Sequence, residues 1–180
     1  MPLLRDVGTQ EQITARVEQI ILTCKSPEAF RALARNIASA DLAFLDPYIA
    51  KCNRNANILM NDALLPDPFE GDHDRVNLRN CWLQASAIKG RIGSHTLQMV
   101  RRRGYLGSML AQLRNVAHIG GLGFVSLQEH NCLQYSAEVL MRQHYSEKLT
   151  AEQIERIDAV LADAGYVIGE EDEQDDAAFL

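Results

Sequence analysis

TQEQITARVEQIILTCKSPEAFRALARNIA, residues 9–38, is the stretch whose reading decides the fold class. Thr9 and Gln12 stand in capping-box spacing, where a hydroxyl and an amide satisfy each other's exposed backbone N–H groups. Ile13, Val17, Ile20, Ile21 and Cys24 then recur at intervals that draw one stripe along a helix of 3.6-residue period. Ser26 followed by Pro27 opens a second helix, because the N–H that proline lacks would have no partner in the first turn anyway. Phe30, Leu33 and Ile37 mark the buried face of that second helix. Two short-linked helices, each with one apolar stripe, have to bury those stripes against other helices.

The same punctuation runs outward from this pair. Helical pieces are expected over about 42–52 and 56–65, with Pro47 breaking or restarting the first. PDPFEGDHD, residues 66–74, is a loop by composition and the expected hinge. Val76, Leu78, Trp82, Leu83 and Ile88 then lie on one helix, and another runs from Ser94 to about Arg103 with Gly104 as its C-cap. A third is expected from Tyr105 to about Val116, and Ile119–Gly123 (IGGLG) reads as a turn. Ser126 with Glu129 predicts a long helix reaching Tyr145. Thr150 with Gln153 caps the last one, with Ile154, Ile157, Leu161 and Ala164 as its stripe and Gly165 as its stop. Alternating strand patterns are nearly absent. The expectation is an all-α, irregular helical bundle in two lobes, residues 1–65 and 75–168, with an acidic, disordered C-terminal tail over 169–180.

A chain of 180 residues can bury roughly 70% of its unfolded surface without a disulfide or metal. Cys24, Cys52, Cys81 and Cys132 are widely spaced, which suits buried thiols in a reducing compartment. No signal-peptide pattern opens the chain and no apolar run approaches membrane length, so a cytoplasmic protein without a membrane partner is expected.

Charge is distributed unevenly. The net charge is −6, and the run Glu170, Glu171, Asp172, Glu173, Asp175 and Asp176 holds six acids in seven residues, leaving residues 1–169 neutral. From Arg75 to Gln128 there is no Asp or Glu across 54 residues, yet eight bases: Arg75, Arg79, Lys89, Arg91, Arg101, Arg102, Arg103 and Arg114. Residues 1–74 sum to −4 and residues 129–180 to −10, so a basic middle lies between acidic ends. Its counter-charge must come from nucleic-acid phosphates, an acidic partner surface, or acidic helices of this chain interleaved by folding. Tyr105, two residues after Arg103, is placed to stack a base while the arginines hold phosphates. The segment 94–115 also has the outline of a helix-turn-helix, although its second half contains Gly107 and few base-reading side chains.

Chemical motifs are sparse. Gly121-Leu122-Gly123 is too short for a dinucleotide fingerprint, no P-loop occurs, and neither Ser94 nor Ser108 sits in a nucleophile elbow. His118, His130, Cys132 and His144 form no metal-ligand spacing, and Asp72, His73 and Asp74 fall in the loop. Asn53, Asn55, Asn57 and Asn61 suggest a polar face. No catalytic residue, metal or cofactor is expected.

The tail, with Phe179 and Leu180 after its acids, is similar in composition to the acidic, Phe-terminated tips of single-stranded DNA-binding proteins. That resemblance covers about ten residues, with Leu180 following the phenylalanine here. It implies recruitment of a partner, carboxylates steering to a basic patch and the apolar pair filling a pocket. The functional expectation is a non-enzymatic regulator, adaptor or inhibitor that docks on a protein partner handling nucleic acid. Its binding residues would be Arg91, Arg101, Arg102, Arg103, Tyr105 and Arg114, together with the tail. The alternative is direct nucleic-acid binding over Arg75–Arg114 with the tail as internal competitor. Self-association stays open.

Overall fold

The computed structural model describes residues 8–68 and 77–169. Among these, all regular structure is helical, with eight α-helices joined by turns of 3-10 helix. The chain divides between Ala63 and Leu64 into two compact units.

The first unit contains α1 (Gln10–Thr23), α2 (Pro27–Ala40) and α3 (Asp46–Asp62). The starts of α1 and α2 are the ones the sequence spells. The Thr9 N–H donates to Gln12 Oε1 at 3.0 Å and the Gln12 N–H to Thr9 Oγ1 at 3.4 Å, closing the capping box. Ser26 Oγ accepts from the Ala29 N–H, with Pro27 in the first turn. Ile13, Val17 and Ile21 of α1 meet Phe30, Leu33 and Ile37 of α2 in one core, closed by Leu45, Cys52 and Ala56. Two expectations fail here. Residues 46–62 form one continuous helix, because Pro47 sits in its first turn, where the missing N–H breaks nothing. The asparagines do not share a polar face, since Asn61 is fully buried.

The second unit contains α4 (Leu78–Lys89), α5 (Ser94–Leu113), α6 (Leu122–Glu129), α7 (Ala137–His144) and α8 (Ala151–Asp163). Gly104 (φ 69°, ψ 178°) is non-helical and divides α5 into two helical halves, so the expected stop at Gly104 and restart at Tyr105 hold. The long helix expected from Ser126 to Tyr145 is broken. Asn131 takes a left-handed conformation (φ 52°), Leu133–Tyr135 make a 3-10 turn, and Ser136 caps α7 by accepting from the Val139 N–H. Ser126 therefore lies inside α6, whose N-cap is Gly121. Only the first part of IGGLG is turn, because Leu122 and Gly123 already belong to α6.

The core of this unit gathers Trp82 of α4, Tyr105 and Met109 of α5, Phe124 of α6, Met141 of α7 and Ile157 of α8. Leu64 and Leu65 pack with it. Arg142 on α7 clasps Asp158 on α8, Nε to Oδ1 at 2.8 Å, and Gln153 Nε2 donates to the Leu113 carbonyl at 2.8 Å, tying α8 to the end of α5. All four cysteines are free, and burial pushes the thiol of Cys52 up to about 11 and that of Cys81 up to about 12. Both are therefore protonated and unreactive near neutral pH. Among the described residues, no helix is long and apolar enough to cross a membrane.

Candidate functional site

Six of the eight bases in the acid-free stretch fall in the second unit as exposed side chains: Lys89, Arg91, Arg101, Arg102, Arg103 and Arg114. None of the six is in an ion pair among the described residues. Among the described residues, folding has thus not paired these six bases with acids of other helices. Lys89 closes α4, the three consecutive arginines end the first half of α5, and Arg114 follows its last turn. Arg101–Arg103 fan around the helix at about 100° per residue. All three can stay in solvent because the kink at Gly104 leads the chain directly into the core.

That kink also decides what this face cannot do. Tyr105 is fully buried, and its hydroxyl donates to the Pro66 carbonyl. It is a core residue and offers no ring to a base, which corrects the stacking role expected for it. The second half of α5 is equally committed inward, with Ser108, Met109 and Leu113 buried and, from Tyr105 to Leu113, only Gln112 exposed. A recognition helix must lay side chains into a groove, so the helix-turn-helix outline does not describe a DNA reader.

Two of the six bases, Lys89 and Arg91, line a cleft of about 600 Å³ built from the end of α4, both ends of α5, the start of α6 and the start of α7. Its apolar wall includes Trp82, Ile92, Met109, Phe124 and Leu127, and its polar groups include Lys89, Arg91, His118 and Glu138. The Trp82 indole N–H is buried with no partner among the described residues. Glu138 is 8% exposed and accepts from the Gly120 N–H at 3.2 Å. Burial lifts its carboxyl above the ordinary glutamate range, opposed by hydrogen bonds from its own and the Gly120 backbone N–H groups.

That shift has a defined sign. A carboxyl whose folded pKa is raised binds its proton more readily in the folded chain, so stability falls as pH rises through that range. Glu138→Gln keeps an oxygen for the Gly120 N–H and removes the buried charge. The variant is expected to unfold at higher urea than the parent at pH 7 and at the same urea in acid, read from denaturation midpoints across pH.

Lys89 and Glu138 were absent from the residues expected at a site. A signal was nonetheless present in the sequence: α5 and α6 both start on glycine, with no Ser, Thr, Asp or Asn to cap them. His130 is exposed with Nδ1 2.8 Å from the Ser126 carbonyl, Cys132 is buried, and no cluster of three potential metal ligands occurs among the described residues. Arg75, the loop acids Glu70, Asp72 and Asp74 with His73, and the acidic run Glu170–Asp176 with Phe179 and Leu180 lie outside the described residues.

Compared with known proteins, the chain matches no family model, no curated protein and no solved structure.

Proposed function

We propose that this is a non-enzymatic docking protein whose second unit presents a basic face to an acidic surface on a protein partner. One observation carries the reading. Six bases stand exposed and without ion pairs, in a stretch that contains no carboxylate to neutralise them. Adjacent like charges such as Arg101–Arg103 repel, and a complementary surface turns that repulsion into attraction and faster encounter. An acidic protein surface is favoured over nucleic acid because the groups that would read bases are in the core, Tyr105 among them.

Direct binding to nucleic-acid backbone is the second reading. Five of the six bases are arginine, whose planar guanidinium pairs with phosphate in two parallel hydrogen bonds. In either case the acidic run 170–176 competes with the partner for the same face. Fluorescence anisotropy with an acidic peptide, a duplex and a single-stranded oligonucleotide, each at low and moderate salt, separates the readings. Tighter binding of the peptide supports protein docking, whereas preference for the oligonucleotides with a steep salt slope supports backbone binding. Removing residues 170–180 is expected to tighten whichever binding occurs. Indifference to all three probes, with and without residues 170–180, sinks the proposal.

A further inference from the structure

The cleft carries an inference of its own, and two of the six exposed bases, Lys89 and Arg91, belong to it. Five of the eight helices have a side chain capping the first turn, from Thr9, Ser26, Asn77, Ser136 and Thr150. α3 has proline there instead. The remaining two, α5 and α6, begin at Gly93 and Gly121 with no side-chain cap, and both of those glycines line the cleft. Uncapped first-turn N–H groups carry the positive end of the helix dipole.

Lys89 makes this imbalance sharper. Its Nζ lies 3.9 Å from the position a Cβ on Gly123 would take, so an ammonium sits beside the first turn of α6. A cation is disfavoured at that end of a helix, where an anion is favoured. Arg91 lines the same cleft, and neither base has an ion-pair partner among the described residues. Two side-chain cations and two uncapped helix starts thus adjoin a cavity whose only carboxylate is buried and already bonded to Gly120. Behind them the wall is apolar and aromatic, and its volume suits a small organic molecule.

We propose that this cleft binds a small phosphomonoester with an apolar or aromatic body. Its phosphate sits between Lys89, Arg91 and the first turn of α6, and its body lies against Trp82 and Phe124. Phosphate fits this position because several backbone N–H donors and two cations can share its three oxygens, as at other helix starts that hold anions. A free phosphate would use only the mouth and leave the apolar wall wet.

Trp82 is the only tryptophan in the chain, so the cleft contains its own reporter. Its emission would be followed while the full chain is titrated with n-octyl phosphate, adenosine monophosphate and inorganic phosphate. At least one of the two esters is expected to give a saturable change, with affinity tighter than inorganic phosphate by about tenfold or more. Lys89→Ala with Arg91→Ala should weaken it by about tenfold or more. Gly123→Asp places a carboxylate beside Lys89 in the first turn of α6, and the site there has room for a side chain. That variant should raise the Tm while abolishing the response, so loss of binding cannot be ascribed to loss of fold. Arg101→Ala should leave the response unchanged, which separates the cleft from the basic face. Absence of a saturable change with both esters overturns the proposal. So does equal affinity for inorganic phosphate, or a response that survives both the Lys89/Arg91 double substitution and Gly123→Asp.

Discussion

Alanine at Gly120 is expected to destabilise the protein by about 2–5 kcal/mol, the sum of a backbone and a packing effect. Gly120 has φ +78°, a left-handed conformation that costs an L-residue roughly 1–2 kcal/mol. A Cβ there would also lie 2.8 Å from Val160 Cγ1 and 3.2 Å from Val160 Cβ, so α8 would have to move. Such overpacking adds about 1–3 kcal/mol. The N–H of Gly120 is the one that reaches Glu138, so any shift of the turn also threatens the single hydrogen bond given to a buried carboxyl from another residue. Gly165 supplies the control. It has φ +69° with nothing near a would-be Cβ, so Gly165→Ala should show the backbone part alone, about 1–2 kcal/mol. Urea midpoints of the two variants give the difference. Val160→Ala in the Gly120→Ala background should recover part of the loss, a non-additivity expected only of residues in contact. Equal costs at the two glycines would mean that the 120–121 turn does not pack on Val160.

What the sequence revealed and what it hid follow a physical line. Thr9 with Gln12, Ser26 with Pro27 and Thr150 with Gln153 fix helix starts through bonds between residues three apart, so local spacing was enough to place them. Stripes such as Ile13, Val17 and Ile21 were legible for the same reason. Ser126 misled because a serine three residues before a glutamate resembles a cap wherever it falls, while the real break is set by Asn131 in a left-handed conformation. Tyr105 misled differently. Its position beside three arginines suggested a surface role, but the kink at Gly104 turns the chain inward, and no local pattern encodes that direction. The cleft was hidden because Lys89, His118 and Glu138 are far apart in sequence and line one cleft only when α4, the 3-10 turn Val116–His118 and α7 come together. The basic run was visible as composition, but whether folding would neutralise it depended on tertiary placement.

If the proposed docking role holds, replacing Arg101, Arg102 and Arg103 together with alanine is expected to weaken binding of the acidic peptide by about 100-fold, taking roughly 1 kcal/mol for each exposed charge that meets its complement. The fold should be nearly indifferent. These side chains are exposed and outside any ion pair, alanine is the strongest helix former, and removing three adjacent like charges relieves repulsion. Arg142→Ala is the reverse case. It breaks the clasp on Asp158 and should lower stability by up to about 1 kcal/mol while leaving binding intact, since that charge is already paired. Anisotropy titrations and urea midpoints on both variants therefore cross, with binding lost in one and stability lost in the other. A further distinction comes from the salt dependence of the triple variant with duplex DNA. If backbone phosphates are the true ligand, the slope of log K against log salt should fall by about 0.9 for each phosphate contact removed. An acidic protein surface carries no condensed counterion layer of that density, so its slope should change less. Full binding of the acidic peptide and the oligonucleotides by the triple variant would place the docking surface elsewhere on the molecule and leave the unpaired arginines without this role.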